Sequence, residues 1–164
     1  MTPARRVAAV ALLMTAIAGC GVRPTGVVDA GEPASGLRTG LRIYFATDSG
    51  LRGVPRLVEL KELNSAVKLL TAGPNASEQS SGLVNLVEPP GTYDAVGDGD
   101  RVTLTMPGAL LTAHNRLLTG QLVCSLAHAQ SALHPEVRPD DVQVTLRSDA
   151  APLGPYRCSS FLDR

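Results

Sequence analysis

The chain reads as an α+β domain, a mixed β-sheet with two helices packed on it, preceded by a leader and a linker. Three observations predict this class. Apolar residues alternate at a period of two in several short segments, two segments repeat them at helical spacing, and Gly, Pro and Asp punctuate the gaps. With 164 residues, 44% apolar and 18% charged, there is material for one packed core and too few charges for wholesale disorder.

In residues 41–46, Leu41, Ile43 and Phe45 fall on one side, marking a half-buried strand. Residues 54–60 are a second strand candidate, with Pro55 at its start or on a sheet edge. Leu63, Val67 and Leu70 then recur at helical spacing, and Gly73-Pro74 stops that helix, because glycine accepts the left-handed turn and proline cannot continue the ladder. Residues 82–87 read as a short strand. Residues 93–96 and 101–106 flank Gly97-Asp98-Gly99-Asp100 as a hairpin, with Val102, Leu104 and Met106 on one face. A second helix is expected over residues 113–130, with Leu118, Leu122, Leu126 and Ala129 on one stripe. Val142, Val144 and Leu146 alternate in a last strand. The expected order is β, β, α, β, β, β, α, β, with both helices on one mixed sheet.

The amino terminus is an address. Arg5 and Arg6 precede the apolar run of residues 7–18, too short for the ~20 residues that span a bilayer. The run ends in Ile17-Ala18-Gly19-Cys20, an aliphatic residue and two small ones before a cysteine, which resembles a bacterial lipobox. Residues 1–19 are therefore expected to be a lipoprotein signal peptide, and Cys20 the lipidated first mature residue, carrying a diacylglyceryl group of the palmitate class. Two acyl chains hold a protein on a bilayer where one is marginal, at about 0.8 kcal/mol per buried methylene. The alternative is an ordinary secretory peptide with an accidental cysteine. Residues 7–9 fit a twin-arginine signal poorly, which favours general secretion. The stretch 20–40 has no hydrophobic periodicity and reads as a flexible linker, which at roughly 5–6 Å times the square root of its length lets the domain, residues 41–164, sit about 25 Å from the membrane. Localisation is expected at the cell membrane, on its extracytoplasmic face.

With Cys20 assigned to lipid, Cys124 and Cys158 remain as an even pair in a compartment where disulfides persist. Bridged, they would pin the tail against the second helix; the alternative is a buried free thiol at Cys124 and an exposed one at Cys158.

Composition disfavours several functions. Loss of Arg5 and Arg6 with the leader leaves 13 basic against 15 acidic side chains, and Lys61 and Lys68 are the only lysines, so no nucleic-acid partner is expected. Three Tyr, two Phe and no Trp leave few rings for sugar or drug-like pockets. Ser65 and Lys68 match Ser-x-x-Lys but lack the companion Ser-x-Asn and Lys-Thr-Gly elements. His114, His128 and His134 lack zinc spacing, and Asp98-Gly99-Asp100 lacks the ligands calcium requires. No catalytic set, metal or cofactor is expected.

Residues 66–83, AVKLLTAGPNASEQSSGL, carry Leu69-Leu70, Gly73-Pro74, Glu78 and Gly82-Leu83 in order. This block, with residues 42–46 before it and residues 100–104 and Gln121-Leu122 after it, resembles the GerMN domain of sporulation and spore-germination proteins over residues 41–148. The family's Ile-Pro-x-Gly turn is replaced here by residues 87–92, VEPPGT, so the resemblance fixes no strand register there. GerMN-like domains occur in lipidated extracytoplasmic proteins of Gram-positive bacteria, including actinobacterial lipoproteins beside sensor kinases, and resemble ring-building motifs. The resemblance implies a single α+β domain, no enzyme activity, and assembly or signalling with another envelope protein. The rival expectation is a lipoprotein that binds cell-wall fragments or small molecules.

Overall fold

The structure, a computed structural model, describes residues 40–88, 91–107, 111 and 114–162. The signal peptide, Cys20 and the linker up to residue 39 lie outside the described residues, as do Pro89-Pro90 and the expected helix start at residue 113.

The chain begins with a hairpin of β1 (Arg42–Thr47) and β2 (Gly50–Pro55), whose register runs from Thr47 opposite Gly50 to Arg42 opposite Pro55. The second strand therefore starts after a two-residue turn and ends at Pro55, where the sequence placed its beginning. Arg56 still donates to the Leu41 carbonyl at 2.9 Å, and the chain then leaves the sheet. Helix α1 (Leu63–Thr71) buries Leu63, Ala66, Val67 and Leu70. It stops at Gly73, whose φ of +80° is the left-handed turn glycine makes without a Cβ penalty. A short helix unforeseen in the sequence, α2 (Ala76–Ser80), follows with a capping box: Asn75 and Glu78 satisfy each other's backbone donors at 3.0 and 2.9 Å.

The expected strand over residues 82–87 reduces to one bridge, Val84 with Ala46. The Asn85 side chain then takes up the Val87 amide and carbonyl itself, leaving no ladder to extend.

The remaining strands, β3 (Asp94–Asp98), β4 (Arg101–Thr105), β5 (Gln143–Arg147) and β6 (Leu153–Tyr156), form a mixed sheet in that spatial order, with β4 and β5 parallel. A parallel pair needs a long crossover, supplied here by α3 (Arg116–Leu133). β6 escaped prediction because Leu-Gly-Pro-Tyr shows no alternation; Gly154-Pro155 is a cis peptide.

The α+β class holds, with one correction: the strands form two sheets, a two-stranded hairpin and a four-stranded sheet, rather than one. Helix α3 packs against both β1 and β5 and buries 12 of its 18 residues. A single apolar stripe cannot describe a helix covered on several sides, so most of its buried polar residues take partners inside the protein, Thr119 Oγ1 being the exception among the described residues.

Candidate functional site

Those polar residues form a seam along α3. Gln121, Ser125 and His128 recur at spacings of four and three, one face of a helix, and that face lies against the outer edge of β1. The Tyr44 amide donates to Ser125 Oγ at 2.9 Å. Gln121 is fully buried; its Nε2 donates to the carbonyls of Tyr44 (3.2 Å) and Val84 (3.3 Å), and its Oε1 accepts from the Leu86 amide at 2.9 Å. Two side chains thus stand in for a neighbouring strand at Tyr44, whose amide and carbonyl face away from β2, while the Val84 carbonyl also accepts from the Ala46 amide.

At the end of the seam the Tyr44 hydroxyl and His128 Nε2 share a 2.9 Å hydrogen bond, their ring centroids 5.2 Å apart. Burial pushes the His128 pKa down; the Arg42 charge adds to this and Asp140 opposes it. Burial likewise raises the Tyr44 pKa, which Arg42 partly offsets. Both groups are held neutral, in a junction suited to fixing β1 on α3. The close approach depends on Gly53, because a Cβ there would lie 2.8 Å from the Tyr44 ring. Gln130, further along α3, donates to the Gly99 carbonyl at 2.8 Å and ties the β3–β4 turn to the helix.

A second cluster gathers the residues of the 66–83 block. Arg56 makes a two-pronged ion pair with Glu78 at 2.6 and 2.8 Å, and its guanidinium lies 5.5 Å from the centre of the Phe45 ring. The hydrogen bonds from Arg56 hold the Glu78 carboxyl below the usual carboxylate range, against the opposing effect of burial, with the Asn75 amide assisting. The motif positions acquire physical roles: Leu70 and Leu83 enter the core, Gly73 and Gly82 take positive φ at +80° and +81°, and Glu78 clamps α2 to the segment after β2.

Cys124 and Cys158 are joined in a disulfide, with Cα atoms 4.5 Å apart, linking α3 to a 3-10 turn (Cys158–Ser160). Tyr156 packs edge-on against Phe161 at 5.5 Å, and Arg116 lies 5.4 Å over the Phe161 ring while donating to the Ser160 carbonyl. The tail is strapped to α3 by a covalent bond and a ring stack together.

The three histidines stay apart. His114 is exposed, His128 is in the seam, and His134 caps α3 with Glu136 at 3.3 Å. Among the described residues no group of three or more His, Cys, Asp or Glu could hold a metal ion, and no helix is long and apolar enough to cross a membrane. Ser65 and Lys68 lie on α1, Ser65 half-buried and Lys68 exposed. Asp98 and Asp100 flank Gly99 in the hairpin turn.

The sequence reading missed Gln121, Ser125 and Gln130 as structural polar groups. The available signal was polar residues recurring at helical spacing between strongly apolar ones. Comparison of the chain with protein-family models, with curated proteins and with solved structures finds no match.

Proposed function

We propose that this chain is a lipid-anchored, extracytoplasmic interaction module of the GerMN type, without enzymatic activity, serving a membrane sensor kinase or another envelope complex. The observation that carries the reading is the outer face of the four-stranded sheet. Register aligns Val96, Thr103 and Thr145 across three strands, flanked by the rows Asp94, Thr105, Arg147 and Asp98, Arg101, Gln143, and every one of these side chains is partly or fully exposed. A sheet with one face in the core and one in water offers a flat, rigid surface with both charge signs, suited to recognising a protein. The perturbed titratable groups, Tyr44, His128 and Glu78, are meanwhile engaged in bonds that hold elements together. The lipobox at Cys20 and the linker support the location.

A photo-crosslinker placed at Thr103 in cells should yield one membrane-protein adduct that a crosslinker at Ser80, exposed on α2, does not. Equal labelling from both positions, or none from Thr103, overturns the reading. Intact-mass analysis of protein from membranes reads the diacylglyceryl group on Cys20 directly. The rival, a cell-wall-fragment binder, draws on a cleft of about 570 Å³ beside residues 56–60. A melting temperature that rises with peptidoglycan-fragment concentration would favour it.

A further inference from the structure

We propose that Leu57 and Val58, at the mouth of this cleft, form a membrane-contact tip that docks the domain on a lipid bilayer surface. The inference rests on the lipid-anchor reading for its setting. After β2 the chain runs past the C-terminal end of α3, so that Gly40, Leu41, Leu57, Leu60, Leu133 and Pro135 line the cleft. Among the described residues four large hydrophobic side chains are exposed, and two of them are consecutive here: Leu57 at 100% and Val58 at 48%. Such side chains paired at a loop tip are shaped for insertion, and a protein partner is the competing occupant.

What points to the occupant is where the described chain begins. Gly40 is in the cleft wall, and the sequence continues from it toward Cys20. The tether therefore joins the domain at the same end as the exposed tip. A flexible chain of about 20 residues has an r.m.s. span of roughly 25 Å, which brings the bilayer within reach of the tip. Each inserted aliphatic side chain strengthens contact by roughly tenfold or more. Two of them would hold an untethered domain weakly, but tethering turns that weak contact into an intramolecular one at high effective concentration. The charges beside the tip, Arg56 paired with Glu78, and then Glu59, Lys61 and Glu62, are mixed and not basic, so docking runs on apolar insertion rather than on attraction to anionic lipid.

The chain has no tryptophan, so one introduced residue reports alone. The chain from Cys20 onward is coupled through its Cys20 thiol to maleimide-headgroup lipid in phosphatidylcholine vesicles, the other cysteines being bridged. This coupling supplies the anchor whether or not cells acylate Cys20, so failure of docking and failure of the anchor reading are separate results. In Leu57→Trp, emission should move to shorter wavelength on coupling and be quenched by lipids brominated along the acyl chain. In Val96→Trp, on the sheet's outer face, neither should change. Adding Val58→Glu to Leu57→Trp should lower the equilibrium constant for insertion about tenfold, seen as partial loss of the blue shift and of quenching. Water-like, unquenched emission from position 57, equal quenching at positions 57 and 96, or quenching seen only with anionic lipid and abolished by salt each overturns the proposal.

Discussion

Glu78 holds two pieces of chain with one carboxylate, and its replacement separates the contributions. Glu78→Gln keeps the shape and an oxygen for the Asn75 amide, and removes the charge opposite Arg56. Hydrogen bonds to charged groups contribute about 1.5–3 kcal/mol when well shielded. These side chains retain 14% and 17% exposure, and solvent screening brings the expected loss to about 1 kcal/mol. Glu78→Ala also removes the capping box, for a total of about 2 kcal/mol. In urea, with a slope of about 2 kcal/mol per molar, these losses move the midpoint by roughly 0.5 to 1 M. Because Arg56 lowers the folded-state pKa of Glu78, its contribution is present above the unfolded value near 4.5 and is lost as pH falls through the folded value. The gap between the native chain and Glu78→Gln should therefore be full at neutral pH and close in acid. Equal midpoints at neutral pH, or a gap that persists unchanged in acid, would refute the reasoning.

Replacing Gln121 with leucine keeps the volume but leaves the Leu86 amide and the Tyr44 and Val84 carbonyls without their side-chain partner, and should cost about 2–4 kcal/mol by denaturant unfolding. Cleaving the Cys124–Cys158 bridge by a Cys158→Ser change, which releases a loop of 34 residues' separation, should cost about 3–4 kcal/mol and raise hydrogen exchange across residues 153–162. His128, depressed by burial, favours the neutral form; below its unfolded value of 6.5 the unfolded chain binds the proton more readily and stability falls until the folded value is passed. His128→Gln should flatten the unfolding midpoint across that acidic window, and a profile as steep as the native one would assign the slope to other groups.

The parts of this fold legible in the sequence are those where one local rule decides the outcome. The alternation at Leu41, Ile43 and Phe45, the stripe of Leu63, Val67 and Leu70, the Gly73 stop and the hairpin around Gly99 each follow from side-chain period or turn chemistry, although the hairpin turn narrows from residues 97–100 to Gly99-Asp100 because Gly97 and Asp98 pair with β4. The failures share a different cause. β6 is a strand because Leu146 and Val144 offer it an edge, not because Leu-Gly-Pro-Tyr prefers extension. Residues 82–87 are apolar enough to read as a short strand, yet α3 lies alongside and the Gln121 side chain bonds the Val84 carbonyl and the Leu86 amide. The division into two sheets is likewise a long-range result, since the local pattern of a strand does not say which neighbour it will find. Gln121, Ser125 and His128 were visible as residues, but their purpose depends on a strand edge about 80 positions away.

The treatment of strand edges bears on how this domain can meet a partner. Exposed edges invite strand addition from other chains, and each edge here carries an obstruction. The outer edge of β1 is occupied by Gln121 and Ser125. β2 ends in Pro55 and β6 contains Pro155, residues with no N–H to donate. On β3 the Ala95 amide is taken by Asn64 Oδ1 at 2.8 Å. With edge pairing hindered on all sides, a face is the surface left for recognition, and the face free of helices is the one bearing Val96, Thr103 and Thr145. Thr103→Arg, with the photo-crosslinker moved to the adjacent Thr145, would test this directly: a bulky charge at the centre of that face should abolish partner crosslinking while leaving the unfolding free energy within about 0.5 kcal/mol of native, as surface changes do. Crosslinking that survives Thr103→Arg but is lost when Ala95 is replaced by proline would return recognition to the β3 edge.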